Sequence, residues 1–256
     1  MVKTTNFKIL SVDTNIVIGL AVLYLRGEKE FIDINLASGG SKHAIKQYAE
    51  DLKFLQHCID KHKILVIITP QVMYELNYRK QELDHDGNPV ELSKEDIVHH
   101  NLKNLSLEYL ERMQKVKIVK ISAKDRPEFK DRVERLMKAY DNRHIFERNL
   151  KGYSPSDARI FAQTSILGVD FISRDNHFNY LHPHSKCSKA EKLSKTNNKQ
   201  GYKTKVIALC DLESTMSNIG SRGGLVAKKH FEAPKSAVEY SLLSYAEYLN
   251  DRQLGR

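Results

Sequence analysis

The spacing of apolar runs in this 256-residue chain predicts an α/β protein with a mostly parallel central sheet. Three observations carry the prediction. The apolar runs are short and continuous rather than alternating, as in Ile64-Leu65-Val66-Ile67-Ile68, the pattern of a strand buried on both faces. Stretches of helical character separate each run from the next, and parallel neighbours need such crossovers. No two runs are joined by a two-residue turn of the hairpin kind.

In chain order, Phe7 to Val12 reads as the first strand, followed by a buried helix from Thr14 to Leu25 and, after Gly39-Gly40, a second helix from about Ala44 to Lys61. Thr69-Pro70 follows the second strand and opens a helix that carries Glu75, because proline suits the first helical position. Asp84 to Pro89 is rich in turn residues. Ser93 then starts a helix to about Gln114, and Val116 to Ile121 is the third strand. Arg126-Pro127 begins a charged helix running to about Asn149, and Ser154-Pro155 begins another that ends at Gly168. Phe171-Ile172-Ser173 is the strand that leads to Asp175. Lys205 to Cys210 reads as the last strand, and Ala237 to Asn250 as a terminal helix. The chain divides into one large domain over residues 1–212, with a lysine-rich insertion at about 181–203, and an extension over 213–256 whose helix packs on it.

With 41% hydrophobic and 29% charged residues, the composition is that of a globular domain. The longest apolar run, Ile16 to Leu23, is too short to span a bilayer, and the N-terminus shows no secretory pattern. Three cysteines, Cys58, Cys187 and Cys210, without paired spacing, suit a reducing compartment, so the expected location is the cytoplasm.

A net charge of +9 and a pI near 9.3 favour a polyanionic partner. Much of the excess is local. Lys186, Lys189, Lys192, Lys195, Lys199, Lys203 and Lys205 are opposed only by Glu191. Such a stretch suits a phosphate backbone as well as it suits a solvated loop.

Four acids stand where strands end or helices begin: Asp13 after the first strand, Glu75 on the second turn of its helix, Asp157 on the first turn of the next, and Asp175 after the fourth strand. In an open parallel sheet those positions return to the carboxyl edge, where ligands bind. Clustered carboxylates repel unless a cation compensates, and hard oxygen ligands match Mg²⁺ or Mn²⁺ better than zinc. Each acid also has a plain structural role open to it. Asp13 can cap the helix that starts at Thr14, and Ser154-x-x-Asp157 is a capping-box pattern. Glu75 can pair with Arg79, and Asp175-Asn176 can form a turn. His177, His182, His184 and Cys187 have ligand chemistry, but a His-Pro-His turn without paired cysteines is weak evidence for zinc.

Four blocks, Leu10 to Asn15, Thr69 to Leu76, Ser156 to Ala162 and Gly168 to Asp175, resemble the PIN-domain ribonuclease family over roughly residues 7 to 210. The resemblance implies a three-layer α/β/α sandwich and a metal-dependent endoribonuclease for single-stranded RNA. Asp13, Glu75, Asp157 and Asp175 would hold one or two Mg²⁺ or Mn²⁺ ions, Asn15 and Ser173 would accompany them, and Asp170 looks structural. Arg174 together with Lys189, Lys192, Lys195 and Lys199 would contact nucleic acid. Expected partners are single-stranded or structured RNA, an antitoxin or other protein, or a second copy in a homodimer, with no membrane. The chain is longer than compact toxin members, which weakens the toxin reading. A haloacid-dehalogenase-like phosphatase needs a second acid where Asn15 stands; a catalytically idle PIN scaffold is the stronger rival.

Overall fold

The computed structural model describes residues 8–78, 93–144, 154–174, 206–221 and 238–254. Six strands form one sheet in the order β5-β4-β1-β2-β3-β6: β1 (Lys8–Val12), β2 (Ile64–Ile68), β3 (Val116–Ile121), β4 (Asp170–Ser173), β5 (Val206–Ala208) and β6 (Tyr240–Leu243). The first five run parallel, and β6 alone is antiparallel, paired with β3. The class is therefore α/β with a mostly parallel sheet. Among the described residues no helix is long and apolar enough to cross a membrane.

The chain winds outward from the centre in both directions. From β1 it steps to β2 and β3, then returns through α6 (Arg126–His144) and α7 (Pro155–Leu167) to place β4 on the other side of β1. The strand order thus reverses between β1 and β4, and a crevice opens at the carboxyl ends of strands flanking such a reversal.

Continuous apolar strands need cover on both faces. Leu10 and Val12 of β1, Ile67 and Ile68 of β2, and Phe171 and Ile172 of β4 are completely buried. Two sets of helices contribute to the core. One comprises α1 (Thr14–Arg26), α2 (Glu28–Ala37), α3 (Lys42–Asp60) and α5 (Lys94–Arg112), which contact one another around Leu20, Phe31, Leu52 and Tyr109. The other comprises α6 and α7, which pack together and bury Leu136 and Phe161, with the Phe161 ring edge-on to Phe171 at 6.0 Å. Between them α4 (Pro70–Asn77) touches both α5 and α7.

Two elements differ from the sequence reading. Helix α2 was not expected, because it starts after Gly27 (φ 87°) with no side-chain cap and buries only Phe31 fully, so neither a capping signal nor an apolar stripe announces it. The expected helix over 237–250 is instead strand β6 followed by α9 (Tyr245–Gln253). Pairing with β3 extends Tyr240–Leu243, and Ser244 then caps α9 in a reciprocal box with Glu247. A short helix, α8 (Leu212–Ser221), follows β5. The C-terminal segment set apart as an extension thus supplies an edge strand of the main sheet.

Candidate functional site

Asp13 leaves β1 with extended backbone and caps α1, its Oδ1 accepting the Ile16 amide at 2.8 Å. Only 3% of it is exposed, and its Oδ2 accepts a close hydrogen bond from the Ser173 hydroxyl at the end of β4. One side chain therefore bridges the two strands that flank the reversal in strand order. Its neighbour Thr14 reaches the other way, donating a short hydrogen bond to Glu75 Oε2.

Glu75 is half-buried on the second turn of α4, a helix fixed after β2 by the Thr69 cap and by Pro70. Its Oε1 accepts from the Ser156 hydroxyl and from Gln71 Nε2 at 3.2 Å. Gln71 Nε2 also donates to Ser156 Oγ at 2.8 Å, and the Gln71 amide donates to Gln163 Oε1 at 2.9 Å. The first turns of α4 and α7 are thereby tied together.

Asp157 stands one residue beyond Ser156. Its Oδ2 accepts both the amide and the hydroxyl of Ser154 at 2.8 Å, completing the capping box that opens α7. The network Asp13-Thr14-Glu75-Ser156-Asp157 thus runs through three elements that the chain separates by 61 and 81 residues. Three helices begin at this edge, and their dipoles favour negative charge there.

Of the other expected residues, Ser173 is buried and bonded to Asp13, and Asn15 is exposed, with its backbone carbonyl accepting the Tyr48 hydroxyl at 3.1 Å. Arg174 is exposed, its guanidinium carbon 4.2 Å from the centre of the Tyr48 ring. Asp170 lies at the opposite end of β4 in an ion pair with Lys8 at 2.9 Å, a structural position. Asp175, Lys189, Lys192, Lys195 and Lys199, with His177, His182, His184 and Cys187, lie outside the described residues. Sequence reading assigned no role to Thr14, Gln71, Ser156 or Gln163. Only the placement of Ser156 next to Asp157, and of Gln71 one turn before Glu75, signals them in retrospect.

The donor set is all oxygen: carboxylates, hydroxyls and one amide. Among the described residues no group of three or more His, Cys, Asp or Glu side chains is close enough together to hold a metal ion. Carboxylates with water match the habit of Mg²⁺, which takes one or two carboxylates and keeps much of its hydration. They do not make a closed zinc site. Two surface depressions, of about 330 and 360 Å³, involve α1, α3 and α8 and share no residue with this network.

The chain matches the family described as Peptidase family M28 over residues 98–206. That is under half of the chain; it takes in Asp157 and Ser173 and leaves out Asp13 and Glu75. Comparison with curated proteins and with solved structures gives no match.

This finding overturns the resemblance to PIN-domain ribonucleases. With it go the endoribonuclease activity, the RNA partner and the toxin and antitoxin roles, since the matched family comprises metal-dependent peptidases, usually zinc enzymes. The physical reason the resemblance misled is visible in the site. Asp13 after a strand and Ser154-x-x-Asp157 before a helix are what any α/β chain uses to cap helices, and both acids do cap them here. A metal-using hydrolase is the part of the expectation that is compatible with this match.

Proposed function

We propose that this chain is a metal-dependent hydrolase of peptide bonds, built as a three-layer α/β/α sandwich, with its reaction centre at the carboxyl edge between β1 and β4. One observation supports the location: the hydroxyls of Thr14 and Ser156 bind the two oxygens of Glu75 and so tie the starts of α1, α4 and α7, each carrying one acid, together near the strand-order reversal. The choice of bond comes from the family match over residues 98–206.

Asp13 and Asp157 would hold the ion, joined by Asp175, which follows Arg174 in the chain. The oxygen-only donors favour Mg²⁺ or Mn²⁺, as one or two ions. When bound, the metal supplies Lewis-acid activation of water and of the scissile carbonyl. Glu75 accepts the proton of the attacking water, its position fixed by the Thr14, Ser156 and Gln71 hydrogen bonds. Ser173 orients Asp13 from behind.

The test is hydrolysis of a panel of fluorogenic peptides after chelator treatment, with Mg²⁺, Mn²⁺ or Zn²⁺ restored singly. Cleavage should require an added ion and vanish in Glu75→Gln, with the circular dichroism spectrum unchanged. Failure to cleave any peptide under any ion, or undiminished cleavage by Glu75→Gln, refutes the assignment.

A further inference from the structure

Arg174 is the residue next to Ser173, so its backbone sits one step beyond the hydroxyl that holds Asp13. Arg112, Arg132, Arg135 and Arg159 each pair with a carboxylate. Arg174 instead rests on the Tyr48 ring, 4.2 Å from its centre. A guanidinium stacked in this way keeps its N–H edges free to make two parallel bonds to a carboxylate, which is the geometry arginine offers and lysine lacks.

The platform beneath it is rigid. Tyr48 is only 6% exposed, its hydroxyl donates to the Asn15 carbonyl, and its ring lies 5.3 Å from that of Phe31. Gly19 of α1 makes the room: a Cβ there would stand 2.6 Å from the Tyr48 hydroxyl oxygen and 2.8 Å from Leu52 Cδ1. The first turn of α1 is therefore a rail between two functions. Thr14 extends from it to Glu75, while the Asn15 carbonyl holds the ring that supports Arg174. The guanidinium is thus held over a ring of α3, while its backbone follows the serine that binds Asp13.

We infer that Arg174, stacked on Tyr48 beside the Asp13 crevice, is a specificity-determining residue that binds a carboxylate of the substrate next to the scissile bond. The inference rests on the hydrolase reading for the bond that is cut, but not for the anion itself. An edge lined with acids repels an anionic substrate, and a positioned guanidinium is what would let a carboxylate approach. In a peptide that group is either the terminal α-carboxylate or an aspartate or glutamate side chain.

The experiment uses three fluorescein-labelled hexapeptides: one with a free C-terminal carboxylate and otherwise neutral, its C-terminally amidated twin, and an amidated twin with one internal Asp. Binding by anisotropy in metal-free buffer reads the anion site without turnover. Wild type should bind at least one carboxylate peptide about tenfold more tightly than the neutral amide, and which one identifies the source. Arg174→Gln should abolish that preference, Arg174→Lys should restore only part of it, and Tyr48→Leu should lose most of it although the arginine remains. Since Arg174 is exposed, its variants should melt with wild type. A preference retained by Arg174→Gln, equal binding of all three peptides, or full recovery by Arg174→Lys overturns the inference. Hydrolysis then separates the two readings. If peptides are cleaved with an unchanged KM in Arg174→Gln, the anion site falls and the hydrolase stands; if the binding preference depends on Arg174 but nothing is cleaved, the reverse holds.

Discussion

Asp13 is at once a helix cap and a candidate metal ligand, and two substitutions separate the roles. In Asp13→Ala the Ile16 amide loses its acceptor, which costs about 0.5–2 kcal/mol. The buried Ser173 hydroxyl is also left without the carboxylate that it donates to, which adds roughly 1–3 kcal/mol. The sum, about 1.5–5 kcal/mol, corresponds to a fall in Tm of roughly 3–20 °C for a chain of this size. In Asp13→Asn the amide oxygen still accepts from Ile16, and the Ser173 hydroxyl can turn to accept from the new NH₂ group. Losing the charge at the helix start costs about 0.3–1 kcal/mol, and relief of a buried negative charge offsets part of it. Asparagine should therefore melt within about 3 °C of wild type in chelator. Saturating Mg²⁺ or Mn²⁺ should raise the wild-type Tm, by the equivalent of about 2.7 kcal/mol at a hundred times Kd, and should leave both variants unmoved. Thermal melts by circular dichroism with and without the ion decide it. An asparagine variant as unstable as the alanine one refutes the cap geometry, and a metal shift retained by both variants refutes the ligand role.

Two further outcomes follow from residues away from the centre. Asp170→Asn removes the ion pair with Lys8, whose partners are each about one-fifth exposed, so stability should fall by about 1 kcal/mol or less while peptide hydrolysis is unchanged; a loss of turnover would move Asp170 into the site. Asp125 accepts the Glu239 amide and the Ser122 hydroxyl, both at 2.9 Å, and those bonds hold its carboxyl below the usual range. Because the folded value is depressed, the contact contributes fully above the unfolded pKa of about 3.9 and is lost as pH falls through the lower folded value. Protection of the Glu239 amide, corrected for intrinsic exchange, should therefore drop below about pH 4 in wild type and be low at every pH in Asp125→Ala. Equal protection at pH 3 and pH 6 would show that the carboxylate does not hold the approach to β6.

The parallel core was legible because its strands are short, apolar and flanked by cap chemistry: Ile64–Ile68 and Val116–Ile121 fall where the pattern puts them. Helix α2 was not, since a glycine start and a single buried phenylalanine give no periodic signal. The run through 237–250 failed for the opposite reason. Ser244-x-x-Glu247 marks a helix start inside it, but extension of Tyr240–Leu243 depends on β3, more than a hundred residues earlier. In the site, the acids were readable from strand ends and helix starts. The hydroxyls that join them were not, because Thr14 reaches across 61 residues to Glu75 and Ser156 across 81, and no local pattern encodes such a contact. The chemistry was least legible of all, since short acidic motifs at helix starts serve capping and catalysis with the same residues.

That double use also bears on why the proposed centre would take a cation. Glu75 takes its hydrogen bonds from two hydroxyls and an amide, all neutral donors that orient a carboxylate without cancelling its charge. Arg159, two residues beyond Asp157 and the nearest arginine to it in the chain, is engaged by Glu134 at 3.1 Å. Helix starts supply about half a charge each, which eases the ionisation of one acid per helix but does not neutralise a group of them. Arg174 rests on Tyr48. A divalent ion held by Asp13 and Asp157 would balance the acids while leaving the guanidinium for the substrate. Metal and substrate anion should therefore bind cooperatively, each lowering the electrostatic cost of the other.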